Sequence, residues 1–163
     1  MRKKSTSGNR YEYHLTASGK ALAPVLTEMG KWGMRWSSDC MTEKQNTASG
    51  LVRDFAGGIR VDELPSCDTV IRIMLTDVEG SPQRHIHVRN GSIQVCDTDL
   101  GFETDVYIES TIKVMTCIWY GELDMGAAMA GGQMIVKAAT VYTRSIKRWL
   151  GISSFTTDNP SFG

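Results

Sequence analysis

His85 and His87 stand two residues apart in the alternating stretch Gln83 to Arg89, so both imidazoles leave one face of a strand, opposite Ile86 and Val88. Two imidazoles at that spacing can chelate a divalent metal. A stable site needs a third ligand, and the four cysteines (Cys40, Cys67, Cys96, Cys117) form no Cys-x-x-Cys pair and have no His at zinc-ligand spacing. The reading is therefore no metal and no cofactor, with both histidines on an ordinary exposed strand face. Asp97, Asp99, Glu103 and Asp105 cluster just downstream, but they lack the spacing and terminal Glu of a calcium loop and read as a solvated turn. No Ser-His-Asp set, nucleophile elbow or phosphate loop is present, and Cys117 falls inside a helical pattern with no cationic neighbour, as a buried inert thiol would. Nothing marks a catalytic residue, and an enzyme is not expected.

The elements that carry these residues belong to a chain of 163 residues, of which 41% are hydrophobic and 22% charged, with 16 glycines. These values fit one ordinary folded domain, with or without a fragment of another, and exclude collagen-like, coiled-coil and fully disordered classes. Apolar runs are only a few residues long, so neither a membrane span nor a signal peptide is expected, and the cytoplasm is the default compartment. The net charge is zero but polarised: residues 1–36 hold 7 Lys and Arg against 2 Asp and Glu. A basic segment followed by an acidic one suggests that the first faces an acidic partner, with nucleic acid the first candidate.

In the basic segment, Tyr11, Tyr13 and Leu15 alternate with Glu12 and His14 as in a half-buried strand. Lys3 to Asn9 reads as a turn, flanked by Arg2, Lys3, Lys4 and Arg10, which could touch phosphates or simply be a solvated terminus. Thr16 is a plausible N-cap, and Leu22, Val25, Leu26, Met29, Trp32 and Trp36 recur on one helical face, with a kink or late start expected at Pro24. The run Tyr11-Glu12-Tyr13-His14-Leu15-Thr16, then Gly19, Leu22-Ala23-Pro24 and Trp32-Gly33, resembles the end of an HxlR-type winged-helix transcriptional regulator. The resemblance implies that the strand closes the wing and that the helix dimerises through its apolar stripe. Such domains read DNA with a helix that precedes the wing, so DNA is an expected partner only if a helix-turn-helix precedes Met1.

In the acidic segment a helix is expected over Thr42 to Ala56, stopped by Gly57-Gly58. Strands are expected at Thr69–Val78, Gln83–Arg89, Ser92–Thr98, Glu103–Ile108 and Gln133–Lys137, with Asn90-Gly91 marking a tight hairpin. Ser110 is read as the N-cap of a helix over Thr111 to Tyr120 and Asp124 as that of Met125 to Ala130, with a last helix over Thr140 to Leu150. The fold class is α+β: a wing strand and long helix, then a mainly antiparallel five-stranded sheet with helices on its one apolar face. Domains are expected at 1–36 and 42–150, followed by a tail, 151–163.

The motifs Glu109-Ser110-Thr111-Ile112, Gly121-Glu122-Leu123-Asp124, Ala127-Ala128-Met129-Ala130-Gly131-Gly132 and Gln133-Met134-Ile135-Val136 resemble the sterol-carrier-protein (type 2) family. That resemblance implies a tunnel for an apolar or amphipathic ligand between sheet and helices, lined by Ile71, Ile73, Ile86, Val88, Val106 and Ile108 on one side. Ile112, Met115, Trp119, Met125, Met129 and Met134 would line the other. Methionines suit an adaptable site and an ordinary core alike. Together the two resemblances imply a ligand-sensing, dimerising part of a transcription regulator. The alternatives are a stand-alone apolar-ligand carrier or interaction module with no DNA role and, more weakly, an accessory domain of a hydrolase.

Overall fold

The protein is described from a computed structural model covering residues 2–6, 10–37, 48–79, 83–99 and 101–156, with side chains placed from His14 to Gly33 and from Ala48 onward within those ranges. The chain divides after residue 40 into two compact units.

The first unit opens with two strands, β1 (Arg2–Thr6) and β2 (Arg10–His14), paired antiparallel with Arg2 opposite His14 and Thr6 opposite Arg10. The turn expected over Lys3 to Asn9 is thus shorter: pairing of Thr6 with Arg10 draws Lys3 to Thr6 into a strand despite their polar composition. Thr16 caps α1 (Ala17–Ala21), its Oγ1 accepting from the Gly19 amide at 3.2 Å. The helix breaks at Leu22, and α2 (Ala23–Ser37) restarts with Pro24 in its first turn, where a missing N–H costs nothing. Pro24 therefore resolves the kink into two helices.

The second unit begins with α3 (Ala48–Gly58), whose Leu51, Val52, Phe55 and Ala56 are buried. The start expected at Thr42 lies outside the described residues, which resume at Ala48; Gly57 and Gly58 end it from within rather than beyond. The sheet comprises β3 (Thr69–Leu75), β4 (Gln83–Arg89), β5 (Ser92–Cys96), β6 (Val106–Ser110) and β7 (Met134–Ala138), in the order β5-β4-β3-β6-β7. All neighbours are antiparallel except the central pair, where Ile71 lies beside Val106 and Ile73 beside Ile108 in parallel. The β4–β5 turn has φ of 48° at Asn90 and 77° at Gly91, the two left-handed residues of a type I′ hairpin.

Two helices separate β6 from β7 and a third follows β7. In α4 (Ile112–Trp119) the cap is Thr111, whose Oγ1 accepts from Val114 N at 3.1 Å. Ser110, expected as the cap, instead ends β6, and its Oγ donates to Gln133 O at 2.7 Å. Asp124 caps α5 (Met125–Ala130) as expected, accepting from Ala127 N at 2.9 Å. The last helix is α6 (Thr140–Trp149). Residues 151–156, expected as part of a tail, pack back: Gly151 N donates to Gly58 O at 3.2 Å and Ser153 N to Trp119 O at 3.0 Å. Both Gly151 and Ser153 are buried.

Candidate functional site

The core-facing side of the sheet follows from strand alternation. Ile71 and Ile73 on β3, Ile86 and Val88 on β4, and Val106 and Ile108 on β6 are all fully buried and belong to one apolar cluster. Across from them Met115 and Met125 are buried, and Met134 is buried on β7 opposite Ser110. Ile112, Trp119 and Met129 are half-buried against the same cluster. All twelve residues expected to line a ligand layer are therefore brought together. Trp119 turns toward α3: its ring centroid lies 5.2 Å from that of Phe55, and a Cβ on Gly58 would come within 2.9 Å of it.

The sequence pattern missed Ile118. It is buried three residues after Met115, and that pair, rather than Ile112 with Trp119, forms the inward seam of α4. Ile118 also opens onto a surface cleft of about 380 Å³ shared with Met125, Leu150 and Ile152. Arg60 and Lys147 line the same cleft, so an apolar floor meets two cationic side chains. Lys147 Nζ is 2.8 Å from Asp124 Oδ2, and this contact together with the Ala127 amide holds the Asp124 carboxyl below its ordinary pKa. Leu150 and Ile152 were hidden because the chain after the last helical turn carries no periodicity. The Cys117 thiol is half-buried rather than buried, and Lys113, one helical turn before it, is the cationic neighbour that the sequence reading did not count; burial and Glu122 still push the thiol up, which disfavours the thiolate.

One reading of the outer sheet face needs correction. His85 and His87 do occupy one face, but they are 2% and 5% exposed rather than solvated. Asp97, Asp99, Glu103 and Asp105 are exposed, as a solvated turn would be, but part of the segment reaches over the imidazoles: Asp99 Oδ2 meets Arg72 Nη2 at 2.8 Å and Phe102 stands edge-on to His87 at 5.3 Å, while Asp97 Oδ1 meets Arg84 Nε at 3.1 Å on the helix-facing side. The imidazoles are buried because Phe102 and the Asp99–Arg72 pair cover a face that the two-residue period leaves open. Among the described residues no group of three His, Cys, Asp or Glu could hold a metal ion.

In the first unit, Arg2, Lys3 and Lys4 lie on β1 and Arg10 on β2, with side chains outside the described ones. Leu22 precedes α2, and Val25, Leu26, Met29 and Trp32 lie along it; all five are more than half exposed, Trp32 by 64%. Trp36 lies on the same helix, its side chain outside the described ones. Pro24, Val25, Glu28, Met29 and Trp32 line an open groove of about 500 Å³. No helix among the described residues is long and apolar enough to cross a membrane.

Residues 2–41 match the family model described as HxlR-like helix-turn-helix, the segment whose motifs led to that expectation. No curated protein matches the sequence significantly. Among solved structures, a double mutant of the sec-alkyl sulfatase PisA1 of Pseudomonas sp. is similar in fold, with a TM-score of 0.51 at 16% identity over 66% of this chain and 17% of that one. The chain thus spans about a sixth of that enzyme. Sterol Carrier Protein 2 Like 2 from Aedes aegypti is similar at a TM-score of 0.47 and 12% identity, over 60% of this chain and 91% of that one. UbiJ-SCP2, a ubiquinone synthesis protein, is similar at 0.39 and 10%, over 77% and 92%.

Proposed function

We propose that this chain is the dimerising and ligand-sensing portion of an HxlR-type transcriptional regulator, non-enzymatic, with DNA as a partner of the regulator as a whole. The carrying observation is the bare apolar stripe on α2. Leu22, Val25, Leu26, Met29 and Trp32 form a continuous exposed seam, and a soluble protein rarely leaves such a seam without a partner. The HxlR-like match over the same residues favours a second copy of the chain as that partner. In the second unit the ligand is apolar or amphipathic. Its hydrocarbon part would be taken up beside Met115, Met125 and Met129, whose flexible thioethers can rearrange, and a polar head would find Arg60 or Lys147 at the cleft.

Light scattering at about 10 to 100 μM, a range suited to a weak obligate contact, should give a dimer that Trp32→Glu converts to a monomer. Palmitate or cholesterol titrated into a Trp32→Phe, Trp36→Phe, Trp149→Phe background should shift the Trp119 emission. A wild-type monomer would remove the dimer reading, and an unchanged emission with both probes would remove the ligand reading. A monomer that still binds lipid would support the stand-alone carrier instead.

A further inference from the structure

We propose that Asp99, Phe102 and Asp105 form a strap over the outer face of the sheet, closed at neutral pH and released locally when His85 beneath it takes up a proton. Three anchors close it. Asp99 Oδ2 accepts from Arg72 Nη2 at 2.8 Å while Asp99 Oδ1 accepts from Gly101 N at 2.8 Å, which sets the bend. Phe102 is wedged between the edge-on His87 ring and the Arg89 guanidinium, whose Cζ lies 4.3 Å from the Phe102 centroid. Asp105 grips β3 through its Oδ2, 2.8 Å from Val70 N, and its own amide, 3.0 Å from Val70 O.

His85 and His87 stack under this strap with centroids 6.3 Å apart and planes 29° apart. His87 Nε2 and Arg72 Nε are buried with no hydrogen-bond partner among the described residues. The charges facing the pair are Arg72 from β3, Arg89 from the end of β4 and Asp99 from the strap, with Tyr107 and Glu109 on β6 beyond Arg72 and the neutral Cys96 opposite His85 on β5. Arg72 already occupies the one nearby carboxylate. An imidazolium at His85 therefore enters beside a guanidinium and its stacked neighbour, at a ring only 2% exposed.

Burial first, and then Arg72 and His87, hold His85 below its ordinary pKa, against the opposing pull of Asp99. With the strap open, the ring titrates near its usual value of about 6.5. The closed form then binds fewer protons than the open one, so closure is favoured above about pH 6.5 and weakens as pH falls. Release would bare Val70 and the two imidazoles while leaving the core face of the same strands packed.

The test is amide hydrogen exchange on the full chain, corrected for intrinsic rates, at pH 7.5 and 5.5. The strap-linked amides of Val70, Gly101 and Asp105 should lose protection severalfold, while Ile73 and Ile108 keep theirs. The double variant His85→Gln, His87→Gln should abolish the difference. Unchanged protection in the wild type, or loss shared equally by strap and core amides, would overturn the proposal even if that variant fails to fold. Retention of the pH dependence by a folded double variant would overturn it as well.

Discussion

Gly151 is the tightest backbone approach in the second unit. A Cβ placed there would collide with the Gly58 carbonyl oxygen, which already accepts the Gly151 amide. Neither partner is the end of a flexible side chain, so the strand-like return after α6 would have to shift. Gly151→Ala should therefore lower unfolding free energy by about 1 to 3 kcal/mol in urea titration, the range for overpacking a closed interior. At Asn90 and Gly91 the turn was legible, since two residues of left-handed preference between alternating strands leave little choice of conformation. Gly151 was not, because a glycine demanded by close approach looks in sequence like any other. The histidines failed in the opposite direction: their face was legible from the two-residue period, but what covers that face depends on a loop with no period at all.

At the scale of elements, the helices were readable wherever a cap and an apolar seam coincided, as at Thr16, Asp124 and α2. Ser110 and Thr111 show the limit. Both can cap a helix, and the choice fell to tertiary context, since Ser110 is occupied by the Gln133 carbonyl across β7. The α5 helix carries a sharper test of the proposed ligand layer. Met129 is half-buried at the margin of the core cluster, so Met129→Trp should abolish uptake of radiolabelled palmitate while lowering stability by less than about 1 kcal/mol. A loss of about 1 to 3 kcal/mol in denaturant titration would instead mark the layer as filled core, where added volume only strains its neighbours.

For the molecule as a whole, acid stability divides by group. The Asp124 carboxyl is held below its ordinary pKa by Lys147 and the Ala127 amide, and Asp99 is held low by the Gly101 amide, with Arg72 adding to it. A carboxylate depressed in the folded state contributes stability that is full above its unfolded pKa of about 3.9 and is lost as pH falls through the folded value. The melting temperature should accordingly drop in a step below pH 4, and Asp124→Asn should shrink that step while lowering the melting temperature at pH 7. A step of unchanged size in the variant would show that the Lys147 contact adds nothing.

The parallel central pair of the sheet fixes an order of events as well as a shape. β4 and β5 meet across a two-residue turn, whereas β3 reaches β6 only after the whole hairpin and the segment beyond it have been spooled out between them. Closing the longer loop costs more chain entropy and returns no contact until it is complete, so the hairpin should be in place at the folding barrier and the central pair only beyond it. Gly91→Ala places a side chain at φ of 77° and costs about 1 kcal/mol or more. In stopped-flow kinetics that cost should slow folding about fivefold and leave unfolding nearly unchanged. Ile108→Val, in the central pair, should do the reverse, and the same rates for both variants would mean that the sheet closes all at once.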